Sequence, residues 1–165
     1  MNKIFKKQRI STEKIISFML IIFAYLLSIN YLFNQIIINI SDSHPGTIFW
    51  KIDQKPIKND FVYFEFEHHF LKDRKMLSKQ LICTQGDKLV INEKVIKCHN
   101  KFGGRSYKIK RILQTDSGKK LPQFYFEGIV PEGKSIVYGS DSKSFDSRYY
   151  GFIDYKKLKL MSLIF

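Results

Sequence analysis

A single membrane-spanning helix followed by a mainly β domain of antiparallel strands is the fold class that this sequence predicts. Three observations carry that reading. Residues 15–33, IISFMLIIFAYLLSINYLF, run without a charge for long enough to cross a hydrocarbon core of about 30 Å as a helix. Beyond them, short apolar stretches recur in quick succession, each bounded by Gly, Pro, Asp, Asn or Lys, which is the punctuation of strands and not the period of helices. Aromatic residues make up 15% of the chain, and aromatic and β-branched side chains fit pleated surfaces best.

The elements follow in order. Residues 1–14 form a basic tail in which Lys3, Lys6, Lys7, Arg9 and Lys14 face one acid, Glu13. Such a short cationic flank stays in the cytoplasm under the positive-inside rule. Residues 15–35 form the anchor. A cleavable signal peptide would have a shorter apolar region followed by small residues, whereas NQIIINI follows here, so the anchor is read as uncleaved. Residues 36–165 then form one extracytoplasmic domain, the only compact unit that the remaining chain has room for.

Within that domain the strand segments are GTIFWKI at 46–52, DFVYFEF at 60–66, KLVIN at 88–92 and KSIVYG at 134–139. The segment HHFLKDRKMLSK at 68–79 is read as a short helix or a mobile loop. TDSGKKLP at 115–122 is read as a turn-rich connection.

The net charge of +13 calls for an anionic neighbour, and the phospholipid surface beside the anchor supplies one. No zinc finger, helix-turn-helix or RNA-binding pattern is present, so no nucleic acid partner is expected. Cys83 and Cys98 are too few for a disulfide scaffold and lack zinc spacing. Outside the cytoplasm they form either one bridge closing a short loop or two buried thiols. His68 and His69 are adjacent, which is not metal spacing by itself, and no metal or cofactor is expected.

Serine needs a neighbouring base to become a nucleophile. His44 adjoins Ser43, but neighbours on an extended chain point to opposite faces, and His68, His69 and His99 suggest no Asp-His-Ser arrangement. Asp42 faces away from Ser43 for the same reason. The alternative is a Ser-Lys pair, in which an apolar site holds the amine neutral so that it can take the serine proton. Lys79 opens the apolar strand QLICT, which ends in the turn QGD; its side chain is expected to lie against a nonpolar sheet.

Three segments resemble the boxes of the type I signal peptidases. NISDSHP at 39–45 is similar to the nucleophile box, in which Asn, Ser or Thr, the catalytic Ser and Pro recur at alternate positions. KQLICTQGD at 79–87 is similar to the box that begins with the general-base Lys and ends in Gly-Asp. GSDSKSFDSRYYG at 139–151 is similar to the third box, met here by Ser144, Asp146, Ser147, Arg148 and Gly151. All three occur in the family's order. DSGKKLP and Phe145 further resemble the conjugative-transfer, TraF-type branch.

The resemblance implies an antiparallel β domain of the signal-peptidase type and a serine endopeptidase in the bacterial plasma (inner) membrane, its domain in the periplasm. Ser43 would be the nucleophile and Lys79 the base. The Ser43 N–H and the Ser41 hydroxyl, on one face of an extended segment, would form the oxyanion hole. Ser144 would orient the Lys79 amine, while Asp146 and Arg148, at i and i+2, would pair and hold their loop. Lys88, Lys94 and Lys97 are alternative bases only if the second box slips in register.

The implied partners are an exported precursor protein, the membrane, and a conjugative or type IV secretion apparatus whose components, pilin among them, the enzyme would mature. Two other readings stand beside it: a housekeeping signal peptidase, and a noncatalytic assembly subunit that retains the fold.

Overall fold

The computed structural model describes residues 11–39, 46–71, 76–101, 106–115 and 118–164. The chain divides into two units, residues 1–36 and 37–165. The basic tail up to residue 10 lies outside the described residues.

The first unit is one helix, α1 (Thr12–Gln35), about 36 Å long at the usual rise per residue. No residue in it is buried, and its large apolar side chains, Ile15, Phe18, Leu26 and Phe33 among them, are exposed all round. A helix apolar on every face and long enough to span is built for lipid. Two of its polar side chains bond within the helix: the Ser28 hydroxyl donates to the Ala24 carbonyl at 2.9 Å, and the Asn34 amide donates to the Asn30 side chain at 3.5 Å. Hydrocarbon offers such groups no other partner.

The second unit is mainly β. Its strands are β1 (Ile36–Ile38), β2 (Ile48–Ile52), β3 (Phe61–Glu65), β4 (Met76–Thr84), β5 (Lys88–Ile91), β6 (Val95–His99), β7 (Tyr107–Lys110), β8 (Phe126–Ile129), β9 (Lys134–Tyr138), β10 (Ile153–Asp154) and β11 (Lys159–Leu163). A one-turn helix, α2 (Ser147–Tyr150), lies between β9 and β10. One sheet has the order β1-β2-β11-β3-β4-β9-β10 and the other β7-β6-β5-β8. The registered pairs are antiparallel.

Strand β4 contributes to both halves of the core. Leu77 and Leu81 pack with Val62, Phe64 and Val137, while Ile82 and Cys83 pack with Leu89, Ile96 and Ile136 of the other cluster. Alternation alone would not bury Leu81, Ile82 and Cys83 in succession. A register shift against β9 between Leu81 and Cys83 rotates the end of the strand towards the second sheet.

The corner between the sheets is the turn from β4 to β5. Gly86 has φ +84°, and a Cβ there would come within 2.9 Å of the Lys101 side chain; glycine is the residue that this backbone accepts without strain. Asp87 is wholly buried, and its carboxylate accepts from the Thr84 N–H at 2.8 Å, the Lys101 N–H at 3.1 Å and the Lys58 ammonium at 2.8 Å. Close by, Cys83 of β4 and Cys98 of β6 form a disulfide, with Cα atoms 6.0 Å apart, that staples one sheet to the other.

The four predicted strand segments contain β2, β3, β5 and β9. The segment at 68–79 differs from its expectation. His69–Leu71 form a single 3-10 turn, residues 72–75 lie outside the described residues, and Met76–Lys79 belong to β4. The alternation of MLSKQL, buried at Leu77, Lys79 and Leu81, decides for strand. Lys79 therefore sits within β4 and does not open it. The connection at 115–122 is a turn closed by Thr115 and Lys119, with residues 116–117 outside the described residues.

Two stability predictions follow from the corner. Replacing Cys83 and Cys98 together by Ser frees a crosslink spanning a separation of 15 residues and should cost about 3 kcal/mol, read as a lower urea midpoint of the detergent-solubilised chain. Burial works to raise the Asp87 pKa, but the Lys58 ammonium and the Thr84 and Lys101 N–H groups outweigh it and hold the carboxyl below its ordinary value. The folded state therefore binds its proton later than the unfolded state does. This stabilisation is complete above the ordinary carboxylate pKa and disappears as pH falls through the lower folded value. Lys58→Met should shift acid unfolding to higher pH, followed by fluorescence of Trp50.

Candidate active site

Lys79 lies in the middle of β4, between Leu77 and Leu81 on one face of the strand, and is 3% exposed. Its partner on β3 is Val62, itself fully buried. On the other side, Gln80 pairs with Tyr138 and Leu81 with Val137. The ladder with β9 ends at the Gln80–Tyr138 pair, one residue from Lys79. The lysine is thus set into a row of aliphatic residues, paired with β3 on one side and one residue short of the β9 ladder on the other.

Gly139 begins the segment that was read as the third box. Its N–H donates to the Asp146 carboxylate at 2.9 Å. Asp146 also caps α2 by accepting from the Arg148 N–H at 3.0 Å. Arg148 meets the same carboxylate as a fork, Nε to Oδ1 and Nη2 to Oδ2, both at 2.8 Å. Nη2 further donates to the carbonyls of Asp141 and Ser144, each at 2.9 Å. Asp146 is 0% and Arg148 2% exposed. Burial alone would lower the Arg148 pKa, but the Asp146 carboxylate prevails and raises it, so the guanidinium stays charged. Ser144 is buried, and its carbonyl is one of the groups clamped by Arg148. Ser147 adds a further tie, its hydroxyl accepting from the Val137 N–H of β9 at 3.0 Å.

The segment read as the nucleophile box falls largely outside the described residues: Ser41, Asp42, Ser43 and His44 are all among 40–45. Its two flanks are described. The Asn39 N–H donates to the Thr47 carbonyl at 2.8 Å, and the Asn39 amide donates to the Gly46 carbonyl at 3.2 Å. The Ser78 hydroxyl then donates to Asn39 Oδ1 at 3.3 Å. Asn39 and Gly46 are therefore held together, next to the residue that precedes Lys79. Gly46 has φ +110°, a conformation that glycine accepts without strain, and a Cβ there would press on the Leu163 side chain.

The structure also gathers rings that no motif in the sequence pairs. Phe66, His68, Phe70, Phe145, Tyr149 and Tyr150 form a continuous aromatic cluster: Phe66 lies 4.3 Å from Tyr150, His68 5.0 Å from Phe145, Phe70 5.5 Å from Phe145, and Phe145 5.6 Å from Tyr149, centroid to centroid. The density of rings in FEFEHHF and SFDSRYY was the available signal. Burial, aided by the adjacent His69, lowers the His68 pKa and favours the neutral imidazole.

Cys83, Asp87 and Cys98 bring three atoms of metal-ligand type within 4.8 Å of one another. The two sulfurs are joined as a disulfide and the carboxylate is held by Lys58, so this group is a structural corner.

The chain matches the family described as "Signal peptidase, peptidase S26" over residues 11–160, and it belongs to that family. A signal peptidase I from Enterococcus faecalis is similar in structure at 19% identity and a TM-score of 0.40, the match covering 66% of this chain and 98% of the other. No curated protein matches at a significant level. With α1, this membership makes the chain a membrane-anchored serine peptidase of the kind that cleaves precursor proteins.

The buried ion pair generates a prediction. Arg148→Ala leaves Asp146 charged and without its fork, which should cost about 3–5 kcal/mol. Arg148→Lys should recover only part of this, since an ammonium cannot reproduce the planar contacts. Urea denaturation of the three chains in detergent measures both.

Proposed function

We propose that the chain is a Ser-Lys endopeptidase that cuts exported precursor proteins at the outer face of the bacterial plasma membrane, with Ser43 as nucleophile and Lys79 as general base. The observation that carries this reading is the position of Lys79, an amine placed within a buried aliphatic row of β4. Burial penalises the charged form of an amine, and a neutral amine is what a serine nucleophile requires. The clamp that ties Asn39 and Gly46 to Ser78 supports Ser43 as its partner, because it fixes both ends of the segment containing that serine beside the lysine's strand.

In this mechanism Ser43 Oγ attacks the scissile carbonyl carbon as its proton passes to Lys79 Nζ. The C–N bond then breaks, the amine leaves with that proton, and an ester joins the substrate to Ser43. Water, activated by the again neutral Lys79 amine, hydrolyses the ester and returns the Ser43 hydroxyl. The Ser43 N–H and the Ser41 hydroxyl stabilise the oxyanion, a contribution worth a factor of about 10² to 10³ per donor. Ser144 orients the Lys79 amine, and the Asp146–Arg148 pair holds Ser144 in place.

The substrate strand adds to the exposed edge of the sheet, with small side chains accepted on the acyl side. The cationic tail keeps the N-terminus in the cytoplasm and the β domain in the periplasm. DSGKKLP and Phe145 favour the conjugative-transfer branch, with pilin or other parts of a secretion apparatus as cargo. No nucleic acid takes part.

Cleavage of exported precursors, candidate pilins included, by the detergent-solubilised protein tests this. The wild type should cut, while Ser43→Ala and Lys79→Ala should each lose at least about 10³-fold in kcat/KM, with unchanged urea midpoints for Ser43→Ala. Equal cutting by the variants would refute the dyad. A wild type inert on every precursor would leave the noncatalytic assembly subunit as the better account.

A further inference from the structure

The third box ends in α2, and the residue between Ser144 and Asp146, Phe145, turns away from the buried ion pair into the aromatic cluster. There it lines a cavity of about 390 Å³, together with Phe70, Ile112, Leu121, Tyr149 and Lys143. That volume lies within the range of about 300–1,000 Å³ usual for ligand pockets. The walls are apolar rings and aliphatic groups. Phe70 and Phe145 stack with 10° between their planes, as do Phe145 and Tyr149 with 2°. Among the described residues the charged groups are cationic: Lys143 contributes to the lining, and the Lys119 ammonium sits 4.2 Å from the centre of the Phe70 ring.

Two facts tie this pocket to the proposed site. Phe145 adjoins Ser144, whose carbonyl Arg148 holds at 2.9 Å, so the pocket wall is fixed by the clamp that fixes Ser144. Phe145 also contacts Tyr150 at 5.5 Å, and Tyr150 packs on the cluster of Leu77 and Leu81, the two residues flanking Lys79 on its face. The rings therefore run without interruption from the lysine's row to the pocket.

We propose that this pocket is a specificity site that takes one large apolar side chain, aromatic or leucine, of the precursor within a few residues of the scissile bond, and that Lys119 and Lys143 favour an acidic residue beside it. The proposal rests on the peptidase reading above and adds a selection for bulk to it. Small-residue selection at the cleaved bond reads only what fits a narrow space. A ring-lined cavity next to Ser144 rewards burial of a large side chain, which discriminates by roughly 10- to 200-fold. A cationic mouth adds attraction for a carboxylate, and salt weakens that attraction.

The test is a panel of fluorogenic peptides derived from one cleaved precursor. Ala, Leu or Phe is placed singly at each position flanking the bond, with Asp or Lys next to it. At one position the wild type should cut the Phe or Leu peptide at least about tenfold better in kcat/KM than the Ala peptide. In Leu121→Trp and in Thr115→Trp, two lining residues that fill the cavity from different walls, that ratio should fall towards one. In Lys143→Glu, an exposed side chain, the preference for an adjacent Asp over Lys should reverse. A wild type that cuts the Ala, Leu and Phe peptides equally at every position overturns the pocket and leaves the peptidase intact, as does a ratio that persists in both Trp variants. A wild type that cuts no peptide, or a Ser43→Ala variant that cuts them as well, overturns the peptidase reading and this inference with it.

Discussion

The segment from Gly139 to Arg148 has one shape because a single buried ion pair demands it. Asp146 and Arg148 are both removed from water, and the desolvation of two charges is recovered only if nearly every donor and acceptor on them is met. The carboxylate is satisfied by two side-chain N–H groups and by the N–H groups of Gly139 and Arg148. The guanidinium spends its remaining reach on the Asp141 and Ser144 carbonyls and lies 5.1 Å from the centre of the Tyr138 ring. Each bond removes one way for the loop to relax. A pair of well-packed apolar residues would give comparable or greater stability. What the charges provide is direction: a planar fork sets the distance and angle of the backbone on both sides of Phe145.

That loop is useful only because β4 beside it is also immobile. β4 has β3 on one side and β9 on the other, and its far end is stapled through Cys83 to the second sheet. The corner at Asp87 adds bonds to Thr84, Lys101 and Lys58. A residue placed at Lys79 thus has its backbone held from three directions, the kind of support that a preorganised catalytic group needs. The Gly-Asp that closes the second box is accordingly a brace. It sits just beyond the C-terminal end of β4 and acts on the lysine through the ladder.

Strands were legible in the sequence where apolar residues alternate cleanly or run together, as in IFWKI, FVYFE and KSIVY. They were not where lysine occupies the outward positions and one or two apolar residues remain, as in YKIK of β7, or where glycine interrupts the pattern, as Gly128 does in β8. Such strands are made by their neighbours: β7 by Cys98 and Ile96 across the ladder, β8 by Leu89 and Ile91. The limit of β4 was missed for a related reason. A lysine in an apolar row breaks the hydrophobic pattern at the point where the structure continues through it. The polar core of the third box was readable from Asp and Arg at i and i+2, but the aromatic cluster was not, because its rings come from segments about 80 residues apart that only the β4–β9 pairing brings together.

The lysine itself supplies the last step. At a position between Leu77 and Leu81 and opposite Val62, a methionine or leucine would add apolar contact, whereas lysine brings an amine that must be desolvated. Native sequences tolerate such choices mainly where function requires them. The surrounding frame is correspondingly overbuilt for so small a domain, with a crosslink between sheets, two buried carboxylates each answered by a cation, and neighbours on both edges of the strand. In the proposed mechanism, chemistry that depends on an unfavourable residue is placed where the backbone can least move. In the proposed specificity site, selection for the substrate is left to rings on the connecting segments, where a change of side chain leaves the strand ladder intact.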